Sequence, residues 1–281
     1  MKLCLVGSGL IGGSIALAAR RNLPDVRILV VDRDPVVVDR ALRTNLADDG
    51  GDDLGRAQGS DIVVLAAPVQ QNIDLLRALP AQLTGDLLVT DVGSTKAAIA
   101  AAAAALPPRI RFLGGHPIAG AASGGIDSVR RDLFQGRPWV LTPVPDDDPR
   151  PTRADDLQRI EEFVKALGGV PCRLSPLEHD RLMAYVSHLP QLAVSALMHV
   201  VGDRVLHEGL LLAGNGLRDS TRLASSPAST WRDIASTNAP SLEVALDDLI
   251  AALERLRDDL GSGEELARVF GSAERWKGFL G

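Results

Sequence analysis

A glycine-rich turn near the N-terminus constrains the fold of this chain more than any other segment. It reads GSGLIG at residues 7–12 and follows an apolar run at residues 2–7. In a strand–turn–helix setting, Gly7 allows the tight turn, Gly9 lets the backbone approach a pyrophosphate, and Gly12 lets helix and strand pack closely. The N–H groups and the dipole of the following helix would then face the phosphates. The turn therefore predicts a dinucleotide-binding unit.

An acidic residue stands where such a unit needs one. Asp32 ends the next apolar run and lies twenty residues after Gly12. A carboxylate there accepts from ribose hydroxyls and repels a 2′-phosphate, which favours NAD, although the neighbouring Arg33 could hold that phosphate and leaves NADP open. A structural glycine turn with a solvent-exposed aspartate is the alternative. The predicted cofactor contacts are Gly7, Gly9, Leu10, Ile11, Gly12, Asp32, Arg33 and Ser94.

Short apolar runs alternate with helical patterns through the first 175 residues. The runs cover residues 2–7, 26–32, 61–68, 86–91, 111–117, 138–143 and 170–174, and helical patterns include 14–22, 35–46, 97–106 and 154–167. Because the runs are apolar throughout rather than alternating, they indicate a parallel sheet covered on both faces. The fold class predicted is α/β, with a doubly wound Rossmann-type sheet.

Strand signals disappear after a boundary near residues 175–177. Helical patterns follow at residues 179–201, 206–212, 241–260 and 264–279, which predicts an all-helical C-terminal domain. The expected division is therefore a nucleotide-binding domain at 1–175 and a helical domain at 176–281. An apolar stripe at helical spacing in residues 242–256 fits either a core helix or a face that pairs with a second copy.

Composition excludes several classes of protein. The net charge is −6 and aromatic residues make up 3%, so nothing supports a nucleic-acid surface, and no apolar run reaches the roughly 18 residues of a membrane span. Cys4 and Cys172 lie in apolar, strand-like contexts without metal-ligand spacing. They are expected to be buried, reduced thiols of a cytoplasmic protein that binds no metal.

Three polar segments are candidates for the chemistry. Ser94 and Lys96 follow an apolar run, at the edge of the sheet where ligands bind, although Ser94 or Thr95 could instead cap the next helix. His116 stands in GGHPIAG, where an imidazole can take a proton from a hydroxyl near neutral pH. The alternative for His116 is a buried histidine satisfied by the backbone. His188 stands in VSHLPQ, where a proline-induced bend suits a ligand contact and an ordinary helix-face histidine is the alternative.

The segments VGSGLIGGS, DVGSTK, GGHPIAG, SHLPQ and GLRDSTRLASSPASTW, in this order, resemble the prephenate and arogenate dehydrogenases of tyrosine biosynthesis. The resemblance extends from residue 2 to about residue 257. It implies an oxidative decarboxylation with NAD or NADP and a homodimer formed through the C-terminal helices. Because no further strand–helix–strand pattern follows before residue 281, no appended regulatory or chorismate mutase domain is expected. A β-hydroxyacid-type dehydrogenase and a non-catalytic dinucleotide sensor are the competing hypotheses, and the combination of these motifs disfavours both.

The same resemblance implies roles for single residues. His116 would bond the ring hydroxyl of the substrate, and Ser94 would bond the same hydroxyl and help to position the nicotinamide. His188 would shape the pocket and Arg222 would hold a substrate carboxylate, a role that suits a guanidinium fork. Gln191 stands where prephenate enzymes commonly have a second histidine, which leaves a keto or an amino side chain of the substrate open. The predicted substrate contacts are Arg222, His188, Gln191 and Lys96.

Overall fold

The computed structural model describes residues 1–120 and 125–280, and within them the first part of the chain folds around an eight-stranded sheet. The strands are β1 (Lys2–Val6), β2 (Arg27–Val31), β3 (Asp49–Gly51), β4 (Ile62–Leu65), β5 (Leu87–Asp91), β6 (Ile110–Pro117), β7 (Pro138–Thr142) and β8 (Val170–Arg173). They are ordered β3-β2-β1-β4-β5-β6-β7-β8. The reversal of order beside β1 confirms the doubly wound topology that the sequence predicts.

Helices cover both faces of this sheet. They are α1 (Leu10–Asn22), α2 (Pro35–Arg43), α3 (Val69–Gln82), α4 (Ala97–Ala103) and α5 (Ala154–Ala166). Successive residues of a strand point to opposite faces, so Leu3 and Leu5 join one apolar cluster while Cys4 and Val6 join the other. The uniformly apolar strands are thus explained by burial on both sides.

The sheet is not wholly parallel, which corrects one expectation. Strand β7 runs antiparallel to β6, with His116 opposite Val140, whereas the other neighbouring strands pair in parallel. A parallel neighbour needs a packed crossover, and in the described part of the β6–β7 connection the helical structure is a single 3-10 turn, Ile126–Ser128. The short strand β3 also escaped prediction, because two of its three residues are glycine.

The start of α1 and the end of α4 are among the helix boundaries that differ from those predicted. Helix α1 begins at Leu10, four residues earlier than expected, so the glycine turn leads directly into it. A Cβ on Gly12 would lie 2.1 Å from the carbonyl oxygen of Gly7, which explains why only glycine fits where the turn meets the helix. Helix α4 ends at Ala103, three residues before the end of the alanine-rich pattern.

The rest of the chain is helical. Its helices are α6 (Pro176–Met183), α7 (Leu189–Leu210), α8 (Asn215–Ser220), α9 (Ala228–Thr237), α10 (Ala239–Asp258) and α11 (Glu264–Lys277). A π turn, Ala184–His188, separates α6 from α7 in place of the single bent helix that the sequence suggested. Leu189 N–H bonds to the Ala184 carbonyl there, and Pro190 follows without an N–H to donate. Helices α8 and α9 were not predicted.

Polar contacts join the helical part to the sheet part. Asp180 accepts from the N–H groups that open α4, and Asp233 accepts from Gln70 N–H at the start of α3, at 3.1 and 3.3 Å. The hydroxyls of Thr95 and Thr237 lie 2.8 Å apart. The helical part is therefore docked on the carboxyl edge of the sheet, where α3 and α4 begin.

The two cysteines have different surroundings. Cys4 is buried in the sheet, and burial raises the pKa of its thiol to about 12. Cys172 is exposed, so the expectation of two buried thiols is wrong for this residue, because β8 is the edge strand and only part of it is covered. Among the described residues, no helix combines the length and the apolarity that a membrane span requires.

Candidate active site

The candidate site lies at the carboxyl edge of the sheet, where four of the sequence-predicted segments meet. The glycine turn follows β1, Asp32 follows β2, Ser94 follows β5, and His116 is near the end of β6. These strands are parallel, so their carboxyl ends share one edge, which is where α/β sheets bind ligands.

The glycine turn fits the phosphates of a dinucleotide. Gly7 has a φ of 96°, and a Cβ there would lie 2.8 Å from the carbonyl group of Ala66. At Gly9 the space is open, since among the described residues nothing lies within 4 Å of where a Cβ would be. Gly9 precedes α1 without a side-chain cap, and in the described chain the buried Ser8 hydroxyl has no hydrogen-bond partner. Uncapped N–H groups, an open approach and a free hydroxyl suit an anionic ligand.

Asp32 is fixed against this turn. Its Oδ2 accepts from Ser8 N–H at 2.9 Å and its Oδ1 from Asp34 N–H at 3.0 Å, and the carboxylate is half-buried. Arg33 beside it is exposed. The carboxylate is thus rigidly held next to the turn, with acceptor capacity to spare for hydroxyl groups.

A buried ion pair supports the turn that carries Ser94. The ammonium of Lys96 is 1% exposed and donates to Asp91 and, at 2.7 Å, to the Gly115 carbonyl. Asp91 also accepts from Gly93 N–H at 2.7 Å and from Gly115 N–H at 3.1 Å. Burial lowers the pKa of Lys96, and the nearby carboxylates oppose this. The ammonium points into the interior, which argues against the predicted contact of Lys96 with substrate and gives it a role in tying β5 to β6.

Helix α4 is capped from the helical part of the chain. Lys96 N–H donates to Asp180 Oδ1 at 2.7 Å and Ala97 N–H donates to Asp180 Oδ2 at 2.8 Å. The alternative in which Ser94 or Thr95 caps this helix is therefore wrong. Ser94 is half-buried and takes no part in the cap.

His116 contacts a second histidine that sequence reasoning missed. Its Nδ1 lies 2.8 Å from His179 Nε2, and His179 Nδ1 lies 2.8 Å from Asp180 Oδ1. Burial is the largest cause that holds the pKa of His116 well below its usual range, followed by the charges of His179, Lys96 and His188. The alternative of a histidine satisfied by the backbone does not hold, since the partner is a side chain. The adjacent histidine and aspartate at 179–180 were the available signal.

His188 lies inside the helical part rather than on an outer helix face. It is 1% exposed, its ring meets Trp231 edge-on at 6.0 Å, and its Nδ1 lies 3.4 Å from Asn238 Nδ2. Burial lowers the pKa of His188 to about 4, and the charge of Asp180 opposes that shift. His188 is therefore neutral at physiological pH.

Gln191 and Arg222 belong to one local arrangement. The Gln191 amide donates to the Leu223 carbonyl at 2.7 Å and accepts from the Ser226 hydroxyl at 3.1 Å. These bonds hold the 3-10 turn Arg222–Ser225. Arg222 is exposed, and it makes no ion pair with any residue that the structure describes. Gln191 is buried, so its visible role is to place the Arg222 turn rather than to reach a substrate directly.

Comparison with known proteins places this geometry in a family. Residues 15–172 match the family "Prephenate dehydrogenase, nucleotide-binding domain", and residues 175–272 match "Prephenate dehydrogenase, dimerization domain". A prephenate dehydrogenase of Bacillus subtilis (strain 168) is 32% identical over 283 residues, which cover 97% of this chain and 74% of that protein.

Two solved structures are similar over the whole chain. The prephenate dehydrogenase from A. aeolicus, in complex with hydroxyphenyl propionate and NAD+, has a TM-score of 0.90 at 28% identity and covers 100% of this chain and 98% of that chain. The Synechocystis arogenate dehydrogenase has a TM-score of 0.82 at 30% identity and covers 100% of both chains. Since the two family matches cover residues 15–172 and 175–272, and the Bacillus subtilis relative is 32% identical over 97% of this chain, the chain belongs to the prephenate dehydrogenase family of oxidoreductases.

Proposed function

We propose that this protein catalyses the NAD-dependent oxidative decarboxylation of prephenate to 4-hydroxyphenylpyruvate in tyrosine biosynthesis. One observation carries the proposal. His116, a half-buried imidazole whose pKa is held well below its usual range, lies at the same sheet edge as a turn built for a dinucleotide. A neutral imidazole at that place can accept a proton at physiological pH, which the oxidation of a hydroxyl requires.

The chemistry divides between the ligand and the side chains. Bound NAD+ supplies the acceptor for the hydride that leaves the ring carbon bearing the hydroxyl. His116 takes the hydroxyl proton as the C=O bond forms, and Ser94 bonds the same oxygen and orients it. The bond to the ring carboxylate then breaks, CO2 leaves, and the electron pair makes the ring aromatic. The phenolate oxygen takes the proton back from His116.

Substrate binding falls to the helical part of the chain. A dicarboxylate needs a fixed cation, and Arg222 is an exposed guanidinium on a turn anchored by Gln191. His188, buried and neutral, forms a wall of the pocket together with Trp231. Arogenate, with an amino group in place of the keto group, is the second candidate substrate. It is supported by Gln191 in place of a second histidine and by the similarity to an arogenate dehydrogenase.

The cofactor contacts proposed are Gly7, Gly9, Leu10, Ile11, Gly12, Asp32, Arg33 and Ser94. We favour NAD because the Asp32 carboxylate is held against the turn and would repel a 2′-phosphate. NADP is the alternative, since Arg33 is exposed beside that carboxylate.

We further propose a cytoplasmic homodimer divided into domains at 1–175 and 176–281. Two free cysteines suit a reducing compartment. Helix α6 begins at Pro176, and the two family matches meet between residues 172 and 175. The apolar residues exposed on the helical part fit a second copy of the chain.

Steady-state kinetics with prephenate and with arogenate, each with NAD and with NADP, tests this function. The wild type should turn over prephenate with NAD most efficiently.

Substituting His116→Asn should lower kcat by about 10²–10⁴-fold for a lost general base and leave cofactor affinity nearly unchanged. The Arg222→Ala variant should raise the KM for the dicarboxylate. Near-normal turnover in the His116 variant would reject its role, and a preference for arogenate or NADP would correct the substrate or cofactor.

A further inference from the structure

Asp180 contacts the segment that carries Ser94 directly and reaches the segment that carries His116 through His179. Its carboxylate accepts from Lys96 N–H and Ala97 N–H, which follow Ser94, and it lies 2.8 Å from His179 Nδ1. His179 in turn lies 2.8 Å from His116. Asp180 and His179 are 2% and 0% exposed, so within the described structure these polar atoms rely on each other.

The chain of contacts fixes where the protons sit. A carboxylate offers only acceptors, so the nitrogen of His179 that faces it, Nδ1, must carry a hydrogen. A neutral imidazole has one N–H, which leaves His179 Nε2 as an acceptor. The nitrogen of His116 that faces this acceptor, Nδ1, must then be the donor. His116 is left with a lone pair on Nε2, the nitrogen that faces away from His179.

We infer that Asp180 is a positioning residue that acts through His179 to hold His116 in the Nδ1–H form, so that His116 presents Nε2 as the proton acceptor. This inference rests on the proposed function, because it deepens the role given to His116. It goes beyond that role in giving a positioning role to His179 and Asp180, two residues to which the proposed function assigns none. The same carboxylate caps α4 and so steadies the turn before it, which carries Ser94.

Replacing Asp180 with asparagine changes the protonation pattern together with one bond of the α4 cap. Asparagine nearly keeps the shape of the side chain. Asp180 Oδ1 faces both His179 Nδ1 and Lys96 N–H, so an amide NH2 in its place donates to His179 Nδ1, reverses every donor and acceptor up to His116, and gives up the bond from Lys96 N–H. His116 would then carry its hydrogen on Nε2 and could not accept. An analogous carboxylate-to-amide change behind a catalytic histidine lowers kcat by about 10⁴-fold. We therefore expect Asp180→Asn to lower kcat by about 10²–10⁴-fold, with the KM for substrate and for cofactor changed by less than about threefold.

The matched control is Asp233→Asn. Asp233 also reaches from the helical part to the N-terminus of a sheet-part helix, accepting from Gln70 N–H, but its contacts there include no histidine. The two variants make the same carboxylate-to-amide change at the start of a sheet-part helix, where Asp180 accepts from two N–H groups and Asp233 from one. The control should keep kcat within about twofold of the wild type. An equal loss of kcat in both variants would show that junction packing, not protonation, carries the effect, and would overturn the inference.

Nuclear magnetic resonance of the histidine rings reads the protonation directly. The chain has five histidines, so two-bond 15N–1H spectra of labelled protein can be assigned with single-histidine variants. In the wild type at neutral pH, both His179 and His116 should be Nδ1–H forms, and in Asp180→Asn the His116 pattern should change. A wild-type His116 with hydrogen on Nε2 or a doubly protonated His179 would each overturn the inference, and so would an unchanged His116 in a variant whose kcat has fallen.

If Asp180→Asn does not fold, a second pair of variants at His179 tests the same inference. In His179→Gln the amide oxygen can still accept from His116 Nδ1–H, whereas His179→Leu removes that acceptor. The glutamine variant should retain at least about tenfold more kcat than the leucine variant. Equal rates would contradict the positioning role. The ring spectra do not depend on turnover. A protein that is inactive on prephenate would therefore contradict the proposed function alone. An active enzyme whose His116 or His179 carries its hydrogen on the other nitrogen would contradict this inference alone.

Discussion

The sheet part and the helical part of this chain bury their apolar residues in different ways. The sheet part encloses two apolar clusters between its strands and helices α1 to α5. The helical part has a small core of Ala184, Leu242 and Ala245, while Leu212 is 88% exposed and Phe279 is 78% exposed. The sheet part thus buries most of its apolar residues within itself. The helical part contacts the sheet through polar side chains and exposes apolar residues outward, on the surface that we propose pairs with a second copy.

The largest loss of stability should come from breaking the buried ion pair of the sheet part, Lys96 with Asp91. Lys96→Met leaves Asp91 ionised and enclosed, and removing one partner of a buried pair costs about 3–5 kcal/mol of the free energy of unfolding. The matched control is Arg77→Met, which breaks an exposed pair with Asp74 and should cost less than about 0.5 kcal/mol. Chemical denaturation measures both. Equal costs would mean that the sheet part does not depend on its interior pair.

An intermediate effect should come from the buried histidine of the helical part. The folded pKa of His188 is about 4, against about 6.5 in the unfolded chain, so the unfolded state binds the extra proton as the pH falls below 6.5. Above pH 6.5, His188 therefore does not lower the free energy of unfolding. Between pH 6.5 and pH 4 it lowers that free energy progressively. At pH 4.5 the loss should be about 2–3 kcal/mol.

Denaturation curves at pH 7 and pH 4.5 test this for the wild type and for His188→Asn. The variant should lose less stability over that interval, by about 2 kcal/mol, because asparagine does not titrate. Identical losses in the two proteins would show that His188 is not the group that destabilises the helical part in acid.

The smallest effect should come from the exposed apolar surface. Val200, on α7, is 57% exposed, and Val36, on α2 of the sheet part, is 68% exposed. If the helical part pairs with a second copy, Val200→Glu should weaken the dimer about tenfold or more, about 1.4 kcal/mol, while Val36→Glu leaves it unchanged. Light scattering over a concentration series measures the shift. A mass that neither change alters would place the contact of the two copies elsewhere.

The sheet part could be predicted largely from its sequence because its signals are local. Gly12 is required by a contact within the turn itself, because a Cβ there would meet the carbonyl oxygen of Gly7, whereas the close neighbour of Gly7 is Ala66, which follows β4. The apolar runs identified seven of the eight strands among the described residues. The direction of β7 could not be predicted, because it depends on how the β6–β7 connection packs and not on the residues of the strand.

The sequence predicted several residues of the candidate site, but not the hydrogen bonds that hold them or the contact of His116 with His179. His116, Ser94 and Asp32 were identified from segments that follow predicted strands, and the structure brings all three to one edge of the sheet. The inward direction of the Lys96 ammonium and the anchoring of the Arg222 turn by Gln191 were not predicted. Both depend on which side chains lie beside them after folding.

The sequence by itself determined the glycine turn, the acid after β2, the buried strands and the change to helices near residue 176, because each depends on neighbouring residues and on a helix or strand period. Only the tertiary structure decided what holds His116 and caps α4. Lys96 N–H and the Asp180 carboxylate are 84 residues apart in the chain, and His116 and His179 are 63 apart. Hydrogen bonds require an approach within about 3 Å. No local spacing encodes such an approach across that separation, and only the docking of the helical part on the sheet brings it about.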